Sequence, residues 1–153
     1  MIKSMGTVIK TKDYQKSRIF YEALGFKVIF EIGPDKEIKS GNDQVVIYGS
    51  ETGGKFELTD AHPAIKPGVF QEIITSSKIS MMFEVDSLAD IIARAKSIGV
   101  VPAVEVRHYY YGTLEVVFKD PDGMVIVFIE PYSAESAEKL AASEEFGKTK
   151  HPV

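Results

Sequence analysis

A chain of 153 residues, 44% hydrophobic and 26% charged, suits one globular domain or two small fused modules and is long enough to bury a substantial core. A formal charge of −4 without a clustered basic face gives no electrostatic basis for a nucleic-acid partner, and the lack of cysteine excludes disulfides, thiolate metal sites and thiol nucleophiles. No segment approaches a membrane span and "MIKSMGTVIK" contains no long apolar run, so the expectation is a soluble, cytoplasmic protein with no membrane partner.

In chain order, "MGTVIKT" (5–11) reads as a short strand, followed by Asp13 as a helix N-cap. The helix "YQKSRIFYEALG" places Ser17, Phe20, Tyr21 and Leu24 on one side and ends at Gly25, a residue suited to a left-handed cap. "FKVIFEI" is a strand, and two further strand candidates, "DQVVIYG" and "KFELTD", flank a turn at "SETGG".

The same order then repeats. "ISMMFEV" is a strand, Asp86 takes the N-cap position, and Leu88, Ile91, Ile92, Ala95 and Ile98 form an apolar helical stripe before Gly99. Strands "VPAVEVRHY", "TLEVVFK" and "MVIVFIE" follow, the last two joined by a "DPDG" turn. Residues 1–132 thus read as one domain, with module one at 5–60, a proline-containing linker at 61–78 and module two at 79–132. Residues 133–153 read as a short polar helix and a tail.

The two strand-helix-strand-strand-strand modules, "DYQKSRIFYEALGF" and the closing "FKDPDGMVIVFIE" resemble the vicinal oxygen chelate superfamily, which includes glyoxalase I, fosfomycin-resistance enzymes, extradiol dioxygenases and bleomycin-resistance binding proteins. The resemblance extends from about Met5 to Tyr132 and implies an α+β fold: two βαβββ modules forming a curved mixed sheet, with helices on the convex face and a ligand site on the concave one. It also implies a homodimer.

Metal-dependent members of that superfamily carry four ligands on inward-facing strand positions. The resemblance places these at Gly6, Glu57, Ser80 and Val127, with Glu57 in "FELTD" matching a ligand glutamate. Glycine and valine have no donor side chain and a serine hydroxyl is a poor substitute for imidazole, so the expectation is no metal and no cofactor. Glu130 lies an odd number of residues from Val127 and is expected on the opposite face.

Strand parity divides the remaining residues. Val8, Lys10, Lys55, Glu57, Thr59, Met82, Glu84, Glu115, Val117, Val125, Val127 and Ile129 form the concave set, while Ile9, Phe56, Leu58, Met81, Phe83, Leu114, Val116, Phe118, Ile126 and Phe128 face the helices. An apolar wall with a few charges is what a small-molecule pocket presents. Three consecutive tyrosines in "RHYYYG", taken as strand residues, cannot all face inward, and Tyr109 and Tyr111 are the candidates for stacking on a flat ligand. Of the histidines, His62 falls in the linker and His151 in the tail, leaving His108 near the site.

The expected function is metal-independent binding of a small molecule, an antibiotic or a metabolite, by Lys10, Glu57, Met82, Tyr109, Tyr111, Glu115, Val117, Val125, Val127 and Ile129. Two alternatives remain open at this level. One is catalysis, by a glyoxalase-like lyase or isomerase or by metal-free acid–base chemistry on Glu57 and His108. The other is a regulatory or interaction module whose cavity is filled by its own side chains.

Overall fold

In the computed structural model, which describes residues 1, 5–33, 44–50, 53–62 and 64–144, the repeated order of the sequence becomes two successive βαβββ modules. The first comprises β1 (Thr7–Lys10), α1 (Tyr14–Ala23), β2 (Lys27–Ile32), β3 (Val45–Gly49) and β4 (Lys55–Thr59). The second comprises β5 (Ser80–Glu84), α2 (Leu88–Ser97), β6 (Val104–Tyr109), β7 (Thr113–Lys119) and β8 (Val125–Pro131), followed by the short helix α3 (Ala134–Lys139). The compact units are Met1–Ile74 and Thr75–Val153. Glu51, Thr52, Pro63, His151 and the rest of the tail from residue 145 lie outside the described residues.

Each unit is a four-stranded mixed sheet, ordered β1-β4-β3-β2 in one and β5-β8-β7-β6 in the other. The first strand pairs in parallel with the last, and the remaining pairs are antiparallel. The equivalence of the units extends to single bonds. The Thr11 amide donates to the Thr59 carbonyl, and the Val85 amide donates to that of Ile129. Val8 pairs with Glu57 as Met82 pairs with Val127.

Both helices start where a side chain satisfies free amides. The Asp13 carboxylate accepts from the Lys16 amide at 3.0 Å, as its position in the sequence suggests. In the second module the cap is Ser87, whose hydroxyl accepts from Asp90 N at 3.2 Å, and not the expected Asp86. Both residue types can cap, and the parallel β5–β8 pairing decides between them by setting where the strand ends. Glu130 adds a long-range cap, its Oε2 accepting from the Leu88 amide at 2.7 Å. As parity predicts, Glu130 therefore lies on the helix side of β8.

The helix-facing set forms the cores. Ser17, Phe20, Tyr21 and Leu24 are buried, and Tyr21 packs against Tyr48 and Phe56 with ring centroids 5.8 and 4.9 Å apart. In the second unit Leu88, Ile91 and Ala95 of α2 are buried together with Leu114, Val116, Phe118, Ile126 and Phe128. Full burial of each large apolar side chain stabilises the fold by about 1.5–3 kcal/mol relative to exposure. Gly25, at φ +99°, ends the first helix in the left-handed conformation expected of it.

Between the sheets the sequence shows no periodicity, yet Pro67–Gln71 forms a 3-10 turn that buries Phe70. After α3, the Ser143 amide donates to the Val106 carbonyl and its carbonyl accepts from His108 N, so this segment runs in parallel beside β6.

Candidate functional site

The face of each sheet away from its helix carries the concave set. Across the first sheet the register aligns Phe30, Ile47, Glu57 and Val8 in one row, so Glu57 stands between two apolar neighbours. The next row is Ile32, Val45, Thr59 and Lys10. Thr59 is 1% exposed and donates its hydroxyl to the Ala61 carbonyl, so it closes a turn beside the strand.

Across the second sheet Val104, Val117, Val127 and Met82 share one row, and Arg107, Glu115, Ile129 and Glu84 share the next. Val125 lies two residues along β8 on the same face. Val117, Val125 and Ile129 are partly exposed, Val127 is buried at 9% exposure and Met82 is 59% exposed. The dry strand after "DPDG" is thus two-sided: Ile126 and Phe128 enter the core, and Val125, Val127 and Ile129 form an apolar floor.

At one end of this floor the tyrosine run is not a continuous strand. Tyr109 ends β6, while Tyr110 and Tyr111 lie in the turn to β7, closed by Gly112 at φ +89° with its amide on the Tyr109 carbonyl. That geometry releases Tyr111 from strand alternation and lets it fold back. Its ring stacks on Tyr109 with centroids 5.3 Å apart and planes at 24°, and its hydroxyl donates to Glu115 Oε1 at 3.0 Å. Thr113 donates to the same oxygen at 2.8 Å.

Glu115 is only 7% exposed, whereas Tyr111 remains 56% exposed with its hydroxyl turned onto the carboxylate. Desolvation, followed by the hydrogen bond and negative charge of Glu115, pushes the Tyr111 pKa up to about 12. The phenol therefore stays protonated and acts as a donor. Tyr110 is 61% exposed and meets Tyr111 edge-on at 5.1 Å.

His108 stands elsewhere. It pairs with the buried Leu114, which places it on the helix side of β6, and its ring stacks on Tyr132 with centroids 3.9 Å apart and planes at 14°. It shares no face with Glu115 and lies in the other unit from Glu57. His62 is exposed, and its Nδ1 accepts from the Ala64 amide within a turn.

The four positions that resemblance assigns to metal ligands fall into two structurally equivalent pairs, Gly6 with Ser80 and Glu57 with Val127. Their side chains offer one carboxylate and one hydroxyl, and no group of three His, Cys, Asp or Glu among the described residues could hold an ion. This donor set does not fit a catalytic divalent metal.

Residues 6–128 match the family model described as Glyoxalase/Bleomycin resistance protein/Dioxygenase superfamily. The chain belongs to this superfamily. Among solved structures it is similar to UcmS2, with TM-score 0.64 and 20% identity over 84% of this chain and 98% of that one. It is also similar to a bleomycin-binding protein complexed with bleomycin, with TM-score 0.52 and 22% identity over 86% of this chain and 100% of the other. A third similar structure is TnmS3, an antibiotic binding protein from Streptomyces sp. CB03234, with TM-score 0.58 and 19% identity over 86% and 98% of the two chains. At these identities the structural likeness establishes the glyoxalase-like fold alone. No curated protein sequence matches the chain. Among the described residues, no helix of this superfamily member is long and apolar enough to cross a membrane.

Proposed function

We propose that this superfamily member binds a small, flat, partly apolar molecule without a metal, sequestering an antibiotic or metabolite in the cytoplasm as a homodimer. The observation that carries this reading is the face of the second sheet, where an apolar floor of Val117, Val125, Val127 and Ile129 meets a stacked tyrosine pair and one buried carboxylate. Convergence of a few polar groups on an apolar surface is characteristic of small-molecule sites. Met82 is the further contact assigned to the ligand on this face, and Lys10 and Glu57 stand on the equivalent face of the first sheet.

The poor donor set at the four family positions supports binding over metal chemistry. Two of the solved structures similar to this chain are a bleomycin-binding protein and an antibiotic binding protein. The helix-side placement of His108 gives no support to an acid–base pair with Glu57.

A thermal-shift screen of planar antibiotics and metabolites, bleomycin included, performed in EDTA, tests the reading. A specific ligand raises the melting temperature by mass action, and Val127→Lys should abolish the rise. A rise that appears only after a divalent metal is restored contradicts metal independence. Light scattering across a concentration series tests the dimer, and a monomeric mass throughout removes that part of the proposal.

A further inference from the structure

We infer that Glu115 is the specificity-determining group of this face and that it selects ligands carrying a protonated amine or amidinium beside a flat aromatic body. The inference rests on the binding reading above and adds the charge of the ligand to it.

Glu115 is almost fully withdrawn from water, yet its hydrogen bonding is one-sided. Oε1 accepts from both Tyr111 and Thr113, while Oε2 accepts nothing from the described residues. Both donors are neutral hydroxyls, and Tyr111 is held in its protonated form. Glu115 forms no ion pair with a described residue, although Arg107 is its register partner on β6. Oε2 is not among the buried atoms that lack a partner, so it keeps some access to solvent, and a cation brought by the ligand can reach it and gain from the low-dielectric surroundings.

The surroundings favour the same class. The Tyr109–Tyr111 pair presents aromatic surface beside the carboxylate, and aromatic faces attract cations as well as flat rings. The valines of the adjoining row, Val117 and Val127, supply apolar contact for the ligand body. Glu84, in the same row as Glu115 but across Ile129 from it, is exposed and stands apart from the tyrosine pair. An anionic ligand would meet the Glu115 carboxylate, and a neutral one would bring it no positive charge.

Two tricyclic dyes of nearly equal shape provide the test: 9-aminoacridine, cationic at neutral pH, and acridine, neutral there. Fluorescence titration of the wild-type chain should show 9-aminoacridine bound about tenfold or more tightly than acridine. Glu115→Gln keeps an oxygen for Tyr111 and Thr113 and should bring the two affinities to within about twofold. Glu84→Gln should preserve most of the preference. Circular dichroism and melting temperature show that each variant is folded, and if E115Q does not fold, the wild-type dye ratio alone decides.

Equal binding of both dyes by the wild-type chain, or loss of the preference in E84Q but not in E115Q, overturns the role of Glu115 and leaves the binding reading standing. Failure of the wild-type chain to bind 9-aminoacridine overturns the cation selection by Glu115, and the thermal-shift screen then decides the binding reading by itself.

Discussion

At the scale of single residues, Glu130 carries a structural duty and Glu115 the ligand-facing one proposed above, although both are buried glutamates on neighbouring strands. Glu130 lies on the helix side and caps α2 through the Leu88 amide. Glu130→Ala should therefore lower stability by about 2 kcal/mol in urea denaturation, since it removes a charged acceptor and leaves a buried amide unpaired. Tyr14 and Tyr48 give a pH signature. Burial pushes the Tyr14 pKa up to about 12, with Arg18 pulling part of the way back, and burial together with the charge of Glu22 raises that of Tyr48 further. Between about pH 10 and pH 12 the folded chain then holds protons that the unfolded chain has lost, so stability is fully present below that window and falls as pH rises through it. Urea midpoints at about pH 9 and pH 11.5 should diverge less in Tyr14→Phe than in the wild type, and an unchanged difference would contradict this assignment. Residue roles were only partly legible in the sequence. Parity placed Glu130 and Val127 on opposite faces, but it could not choose between the adjacent cap formers Asp86 and Ser87, because strand pairing makes that choice.

At the scale of elements, helix and strand identities follow from periodicity, whereas the connections do not. The "RHYYYG" run reads as strand from its aromatic content, yet its last two tyrosines make a turn because Gly112 supplies the positive φ that closes it. Gly112→Ala should cost about 1 kcal/mol and, by disturbing Tyr111, weaken ligand binding more than stability; equilibrium unfolding and dye titration on the same sample separate the two effects. A composition signal was present in the Gly following the tyrosines, but the back-folded hydrogen bond from Tyr111 to Glu115 depends on turn geometry that alternation does not encode. The stretch beside β6 is a second case. Short and without periodicity, it is recognisable only by its pairing, in which the His108 amide donates to the Ser143 carbonyl. Truncation after Leu140 should speed hydrogen exchange at His108 and leave that of the β7–β8 amides nearly unchanged. Equal protection of His108 in the truncated chain would show that the pairing contributes nothing.

At the scale of the whole molecule, the repeat of architecture survives with little repetition of residue identity, because each module needs only an apolar helix stripe, a two-faced sheet and turns at matching places. The fold was therefore the most legible level, and the superfamily match over residues 6–128 agrees with it. The opposite faces hold fewer of the fully buried side chains, though Thr59, Glu115 and Val127 are buried there. On those faces Glu57 and Val127 occupy equivalent strand positions with unlike chemistry. The most direct test of metal-independent binding is methyl NMR of the chain in EDTA, titrated with whichever screened compound raises the melting temperature most. Shifts are expected at Val117, Val125, Val127 and Ile129, with Ile126 and the α2 isoleucines little affected. Shifts centred on the helix-side methyls, or binding that appears only when a divalent ion is added, would contradict it.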